Sequence, residues 1–156
     1  MRHYLSPDRS AFIPASEGFV SGATSWGVKS SALLRAFGLA TAQSGEPVYV
    51  TDESDGTTWV GVAGADGSVS GLRTFAYRGG EGTAVDEAGH VYIAAGQVHV
   101  HDASGRFLET IEVPERPLQV VFGGSDGRTL FIPARTSLYA VRTRHRGRHV
   151  PGPDGR

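Results

Sequence analysis

The chain has 156 residues and a formal charge of -1, and it contains no cysteine. That length suits one ordinary domain with its own core. The near-neutral balance gives no reason to expect nucleic acid or an anionic membrane as partner, and the lack of cysteine excludes disulfides, thiolate metal sites and a cysteine nucleophile.

No apolar run approaches the ~20 residues of a membrane span. The opening stretch "MRHYLSPDRSAFIPASEG" lacks the apolar segment of a secretory leader, so a soluble chain without an export signal is expected. Glycine is abundant, at 22 residues without a collagen period. The glycines punctuate short apolar runs, as tight turns do in all-β proteins.

Taken in chain order, one short strand recurs: "AFIPA" at 11–15, "VYVTD" at 48–52, "VYIAA" at 91–95 and "LFIPA" at 130–134. The starts are 37, 43 and 39 residues apart, the spacing of four-stranded propeller blades. The flanks repeat too. "SPDRSAFIPA" (6–15) echoes "SDGRTLFIPA" (125–134), "TSWGV" (24–28) echoes "TTWVGV" (57–62), and "LLRAF" (33–37) echoes "GLRTF" (71–75).

The first repeat begins abruptly, at its first or second strand. "SSALLRAFGLA" (30–40) reads either as a strand or as a short helix capped by Ser30 or Ser31, with the "LR-x-F" echo favouring the strand. In the second repeat "VYVTD", "TTWVGVAG" and "LRTFAY" are strands, and the innermost strand is sought in "ATAQSGEP" (40–47). The third repeat is the clearest: "GTAVD" (82–86), "VYIAA", the alternating "QVHVHD" (97–102) and "FLETIEV" (107–113), stopped by Pro114 and Pro117. The fourth offers "LQVVFGG", "TLFIPA" and "SLYAVRTR", without a clear fourth strand.

The expected fold is therefore all-β, about four propeller blades of four antiparallel strands, the outer two incomplete. The repeats run 1–42, 43–78, 79–114 and 115–145, followed by a basic, Pro/Gly-rich tail at 146–156 expected to be disordered. The abrupt start suggests part of a larger propeller, whose uncovered blades would invite self-association.

Few side chains invite chemistry. Glu81, alone between glycines before a first strand, is the candidate site carboxylate. Asp86 reads as a turn aspartate bonding the amides of "DEAG", and Asp52 and Glu53, ending a second strand, read as turn residues or as side chains facing the propeller mouth. His99 and His101 share one face of a strand, a pairing able to bind zinc, but that strand lies toward the outside of its blade and no third ligand has matching spacing. His145 and His149 fall in the tail. Trp26 and Trp59, at equivalent repeat positions, read as blade packing, and Arg135 and Ser137 as strand-turn structure. No Gly-x-Ser-x-Gly elbow is present.

From Gly80 to about Arg144, "GEGTAVDEAGHVYIAAGQVHVHDASG", the "FGGSDGRTLF" segment and a terminal "SLY" follow one another in order. This stretch resembles the C-terminal part of the senescence marker protein / gluconolactonase / luciferin-regenerating enzyme family. The resemblance implies a six-bladed propeller with one divalent metal, calcium or zinc, at the centre of one face, hydrolysing lactones or related esters. The ligand would be a lactone or sugar-acid-like small molecule. Glu81 stands where the family's "PDG" aspartate ligates the metal and acts as candidate base. Glu17, in "ASEG", is a candidate substitute for the family's first-blade glutamate. The family's asparagine ligand has no counterpart by type, because the chain contains no asparagine. Two readings stand: a metal-dependent lactone or ester hydrolase, and a non-catalytic propeller segment serving as a binding or scaffold module, the C-terminal piece of a larger protein.

Overall fold

The computed structural model describes residues 3–5, 12–14, 36–40 and 42–151. Strand β1 (His3–Leu5) pairs antiparallel with β2 (Phe12–Pro14). A four-stranded antiparallel sheet follows, from β3 (Ala36–Leu39), β4 (Pro47–Asp52), β5 (Thr57–Ala63) and β6 (Val69–Ala76). A second four-stranded sheet comprises β7 (Gly82–Val85), β8 (Val91–Ala95), β9 (Gln97–His101) and β10 (Phe107–Ile111). The last sheet has three strands, β11 (Val121–Gly123), β12 (Thr129–Pro133) and β13 (Leu138–Arg142). In the three larger sheets each strand pairs with its neighbour in sequence, as in propeller blades, and among the described residues no helix is long and apolar enough to cross a membrane.

The recurring second strand is the core of the two four-stranded blades because both of its faces are covered. On β8, Val91 and Ile93 pack toward the preceding blade with Tyr49, Val60 and Phe75. Tyr92 and Ala94 pack toward the following blade with Val120, Phe122, Leu130 and Ile132. Side chains alternate across a strand, so a strand buried on both faces reads as an unbroken apolar run, here "VYIAA". Val91, Ile93 and Ala94 are all 0% exposed.

Aspartate turns close the hairpins. Asp86 is fully buried, and its Oδ1 accepts from the amides of Ala88 (3.0 Å) and His90 (2.9 Å). Its Oδ2 takes His90 Nδ1 (2.9 Å) and the Tyr92 hydroxyl (3.1 Å). Burial, followed by the charge of Asp86, pushes the Tyr92 phenol well above its ordinary value. Asp102 repeats the turn, accepting from the amides of Ser104 and Arg106. These carboxylates are turn anchors, as "DEAG" leads one to expect.

The structure differs from the sequence reading in two places. The innermost strand of the second repeat is Ala36–Leu39, not 40–47, so this blade starts inside the stretch assigned to the first repeat. Residues 43–46 instead form a turn, with Gly45 at φ 86° and the Glu46 carboxylate accepting from Gln43 N. "LLRAF" and "GLRTF" therefore do not share a role: Phe37 lies on an innermost strand and Phe75 on an outermost one. The helix alternative fails over 36–39, and residues 30–35 lie outside the described ones.

The second difference is the tail, which is ordered through its first residues. Arg146 O accepts from Glu87 N (2.8 Å), Arg148 N donates to Val85 O (2.8 Å), and Gly147 bridges to Asp86. Val150 packs on the core between the last two blades. Backbone pairing with a strand far away in sequence supplies the order that composition does not announce.

Innermost strands β3, β7 and β11 run beside one another, with β7 in the middle. A Cβ on Gly38 would lie 2.9 Å from Gly82 Cα, and one on Gly82 would lie 2.7 Å from Gln119 Cα. Gly80 is tighter, since a Cβ there would overlap the carbonyl oxygen of Ala94. Gly80→Ala is expected to cost about 1–3 kcal/mol in urea unfolding. A loss below about 0.5 kcal/mol would show that the backbone there yields freely.

Candidate functional site

Glu81 enters the innermost strand of the middle blade. Its amide donates to Ala94 O (3.0 Å), extending the β7–β8 ladder by one residue. Its side chain is 15% exposed and meets the Arg116 guanidinium, with Oε1 2.7 Å from Nη2. The same nitrogen lies 3.0 Å from Glu53 Oε1. One arginine from the loop before β11 thus joins a carboxylate at the start of β7 to one just past the end of β4. Glu53, read from sequence as a turn or mouth-facing residue, is thereby linked to Glu81 through Arg116.

The second oxygen of Glu81 is buried and has no hydrogen-bond partner among the described residues. Neither has the buried hydroxyl of Thr83, two residues on and so on the same side of the strand. Thr83 lines a cavity of about 220 Å3 among the innermost strands, together with Leu39, Gln119, Val121, Arg148 and Val150. Buried polar atoms nearly always have partners, so two orphans on one side of one strand set this stretch apart.

A divalent metal fits poorly at Glu81. Calcium takes about 6–8 oxygen ligands, and zinc about four N, O or S ligands. The positions equivalent to Glu81 on the flanking innermost strands are Phe37 and Leu118. Phe37 precedes Gly38 as Glu81 precedes Gly82, and Leu118 N donates to Pro133 O as Glu81 N donates to Ala94 O. Both side chains are apolar and exposed. Among the described residues no group of three or more histidine, cysteine, aspartate or glutamate side chains is gathered for a metal. Glu17 lies outside the described residues, as does Trp26.

The histidines are not brought to Glu81. His99 bonds the Ala95 carbonyl through Nε2 and the Thr110 hydroxyl through Nδ1, both at 3.2 Å. His101 is buried, with its ring 6.2 Å from that of Phe75 and 5.7 Å from that of Phe107. The His145 ring lies 5.4 Å from that of His90, tilted by 52°, and His149 pairs with Glu46 at 2.7 Å. Ser137 donates to Glu115 Oε1 (2.6 Å), a strand-turn contact. Arg116 is the residue that motif reading misses. Its one sequence signal is a basic side chain between Pro114 and Pro117, just before the next innermost strand.

Residues 26–136 match the family described as the SMP-30/gluconolactonase/LRE-like region. Among solved structures the chain is similar to a protein assigned as a gluconolactonase, at 27% identity and TM-score 0.67, over 77% of this chain and 42% of that one. It is similar to a gluconolactonase of Xanthomonas campestris at 23% identity and TM-score 0.64, over 74% of this chain and 40% of the other. A calcium-binding regucalcin of Agrobacterium tumefaciens gives 22% identity and TM-score 0.57, over 64% and 38%. The latter two speak to the fold alone. This chain spans about two fifths of the length of these solved structures. No curated protein matches it significantly.

Burial holds His101 below the ordinary histidine value, helped by His99 and Arg78, and burial followed by Arg78 does the same to His99. The unfolded chain therefore binds more protons than the folded one in mild acid. The stability they contribute is present above the unfolded value of ~6.5 and drains as pH falls through the folded values. The melting temperature is expected to fall between pH 7 and pH 5, before the carboxylates titrate, with a flatter slope in His101→Phe. An equal slope in that variant would assign the loss to other groups.

Proposed function

Because the chain belongs to the SMP-30/gluconolactonase/LRE-like family, we propose that it forms the reactive part of a propeller that hydrolyses a lactone or related ester, with Glu81 as the acting carboxylate. The observation that carries this reading is the Glu81 side chain itself. It lies on the innermost strand of the middle blade, ion-paired through Oε1 and unpartnered at Oε2.

Arg116 fixes the orientation of Glu81, because a charge-assisted contact at 2.7 Å removes rotamer freedom from the carboxylate. The free oxygen is then the one that receives a proton. In lactone hydrolysis it takes the proton of the attacking water and returns it to the departing ring oxygen, the general base and acid roles expected of one carboxylate. The Thr83 hydroxyl, beside the cavity, is suited to a polar substituent of a sugar-acid-like substrate.

Glucono-δ-lactone hydrolysis, followed by proton release, tests the reading on the 156-residue chain. Glu81→Gln is expected to lower kcat/KM by about 100-fold or more, with far-UV circular dichroism and melting unchanged. A folded chain that hydrolyses neither lactones nor simple esters would sink the proposal.

A further inference from the structure

We propose that Arg116 supplies the positive charge of this centre, so that the chain acts on its substrate without a divalent cation. The inference deepens the reading of Glu81 given above and rests on it. It starts from the mismatch between the side chains around Glu81 and the needs of a metal.

One oxygen of Glu81, Oε1, is held by a guanidinium at 2.7 Å, and the same guanidinium nitrogen reaches Glu53 at 3.0 Å. A divalent ion at the remaining Glu81 oxygen would sit beside the fixed positive charge of Arg116. It would also find apolar side chains, Phe37 and Leu118, at the two register-equivalent positions beside Glu81. Such a site gives a hard cation few oxygens. A guanidinium needs none beyond its carboxylates, and it remains charged at any working pH.

Both contacts of Arg116 use Nη2. Nε and Nη1 have no protein partner among the described residues, and the side chain is 50% exposed. These donors are in position to bind an oxyanion or a polarised carbonyl oxygen, as guanidinium groups do in planar, two-pronged contacts. The step balances without a metal. Water gives a proton to Glu81 while its oxygen bonds to the carbonyl carbon. The carbonyl π pair moves onto the oxygen facing Arg116. That oxyanion re-forms the double bond, the ring C–O bond breaks, and the ring oxygen takes the proton back from Glu81. The products are a hydroxy acid and the starting enzyme, and the new carboxylate is itself a ligand for Arg116.

The whole chain, stripped with a chelator, is titrated calorimetrically with calcium and with zinc, and its hydrolysis of glucono-δ-lactone is followed with and without chelator. No binding heat that depends on Glu81 is expected, and the rate in chelator should equal the untreated rate. Arg116→Ala should lower kcat/KM by about 100-fold, and Arg116→Lys should restore part of it. If Arg116→Ala does not fold, Arg116→Gln serves. One equivalent of calcium or zinc bound by the wild type and lost in Glu81→Gln would overturn the inference, as would hydrolysis abolished by chelator. A folded wild type without hydrolysis would instead sink the Glu81 reading, and the metal titration would still judge the role of Arg116.

Discussion

The innermost strands pass one another at distances that leave no room for a side chain between them. Gly38 faces Gly82, and Gly82 faces Gln119, so that backbone meets backbone along the row β3–β7–β11. Three consequences depend on that approach. The blades can share cores on both sides of β8. The residue preceding each close contact is turned to the end of the row, which is how Phe37, Glu81 and Leu118 come to be neighbours in register. Arg116, on the loop leading into β11, is brought within reach of a carboxylate from each of the two preceding blade elements.

Much of this was legible in the residues. Strands β4 and β8 were readable nearly to the residue, because a strand covered on both faces reads as a run without exposed polar positions, and β8 matches "VYIAA". The aspartate turns were readable because an Asx side chain bonding its own downstream amides is a local device. Strand β3 was not. "AFGL" is too short to show a period, and its place is fixed by Gly38 meeting Gly82, a contact across blades that no window along the chain contains. The ordered start of the tail was hidden for the same reason: its partners, Val85 and Glu87, lie about sixty residues upstream.

Glu81 stood out as a candidate from its setting between glycines, but its ion-pair partner did not. An arginine flanked by prolines looks like loop solvation. Its meaning depends on two carboxylates, each from a different part of the chain. The histidines illustrate the opposite error that composition invites. Two imidazoles on one face resemble a metal pair, yet each is committed: His99 to Ala95 and Thr110, His101 to the rings of Phe75 and Phe107. Burial among such neighbours keeps them neutral and structural.

The segment after β13 returns to Val85 and Glu87 and so ties the last blade to the innermost strand of the middle one. During synthesis this gives assembly a fixed order. The hairpins of the middle blade can form as soon as β10 has left the ribosome, since each strand pairs with the one before it. The far end of β7, however, acquires its final backbone partner only when Arg148 emerges. The middle blade can thus pair internally before its contact with the segment after β13 is available.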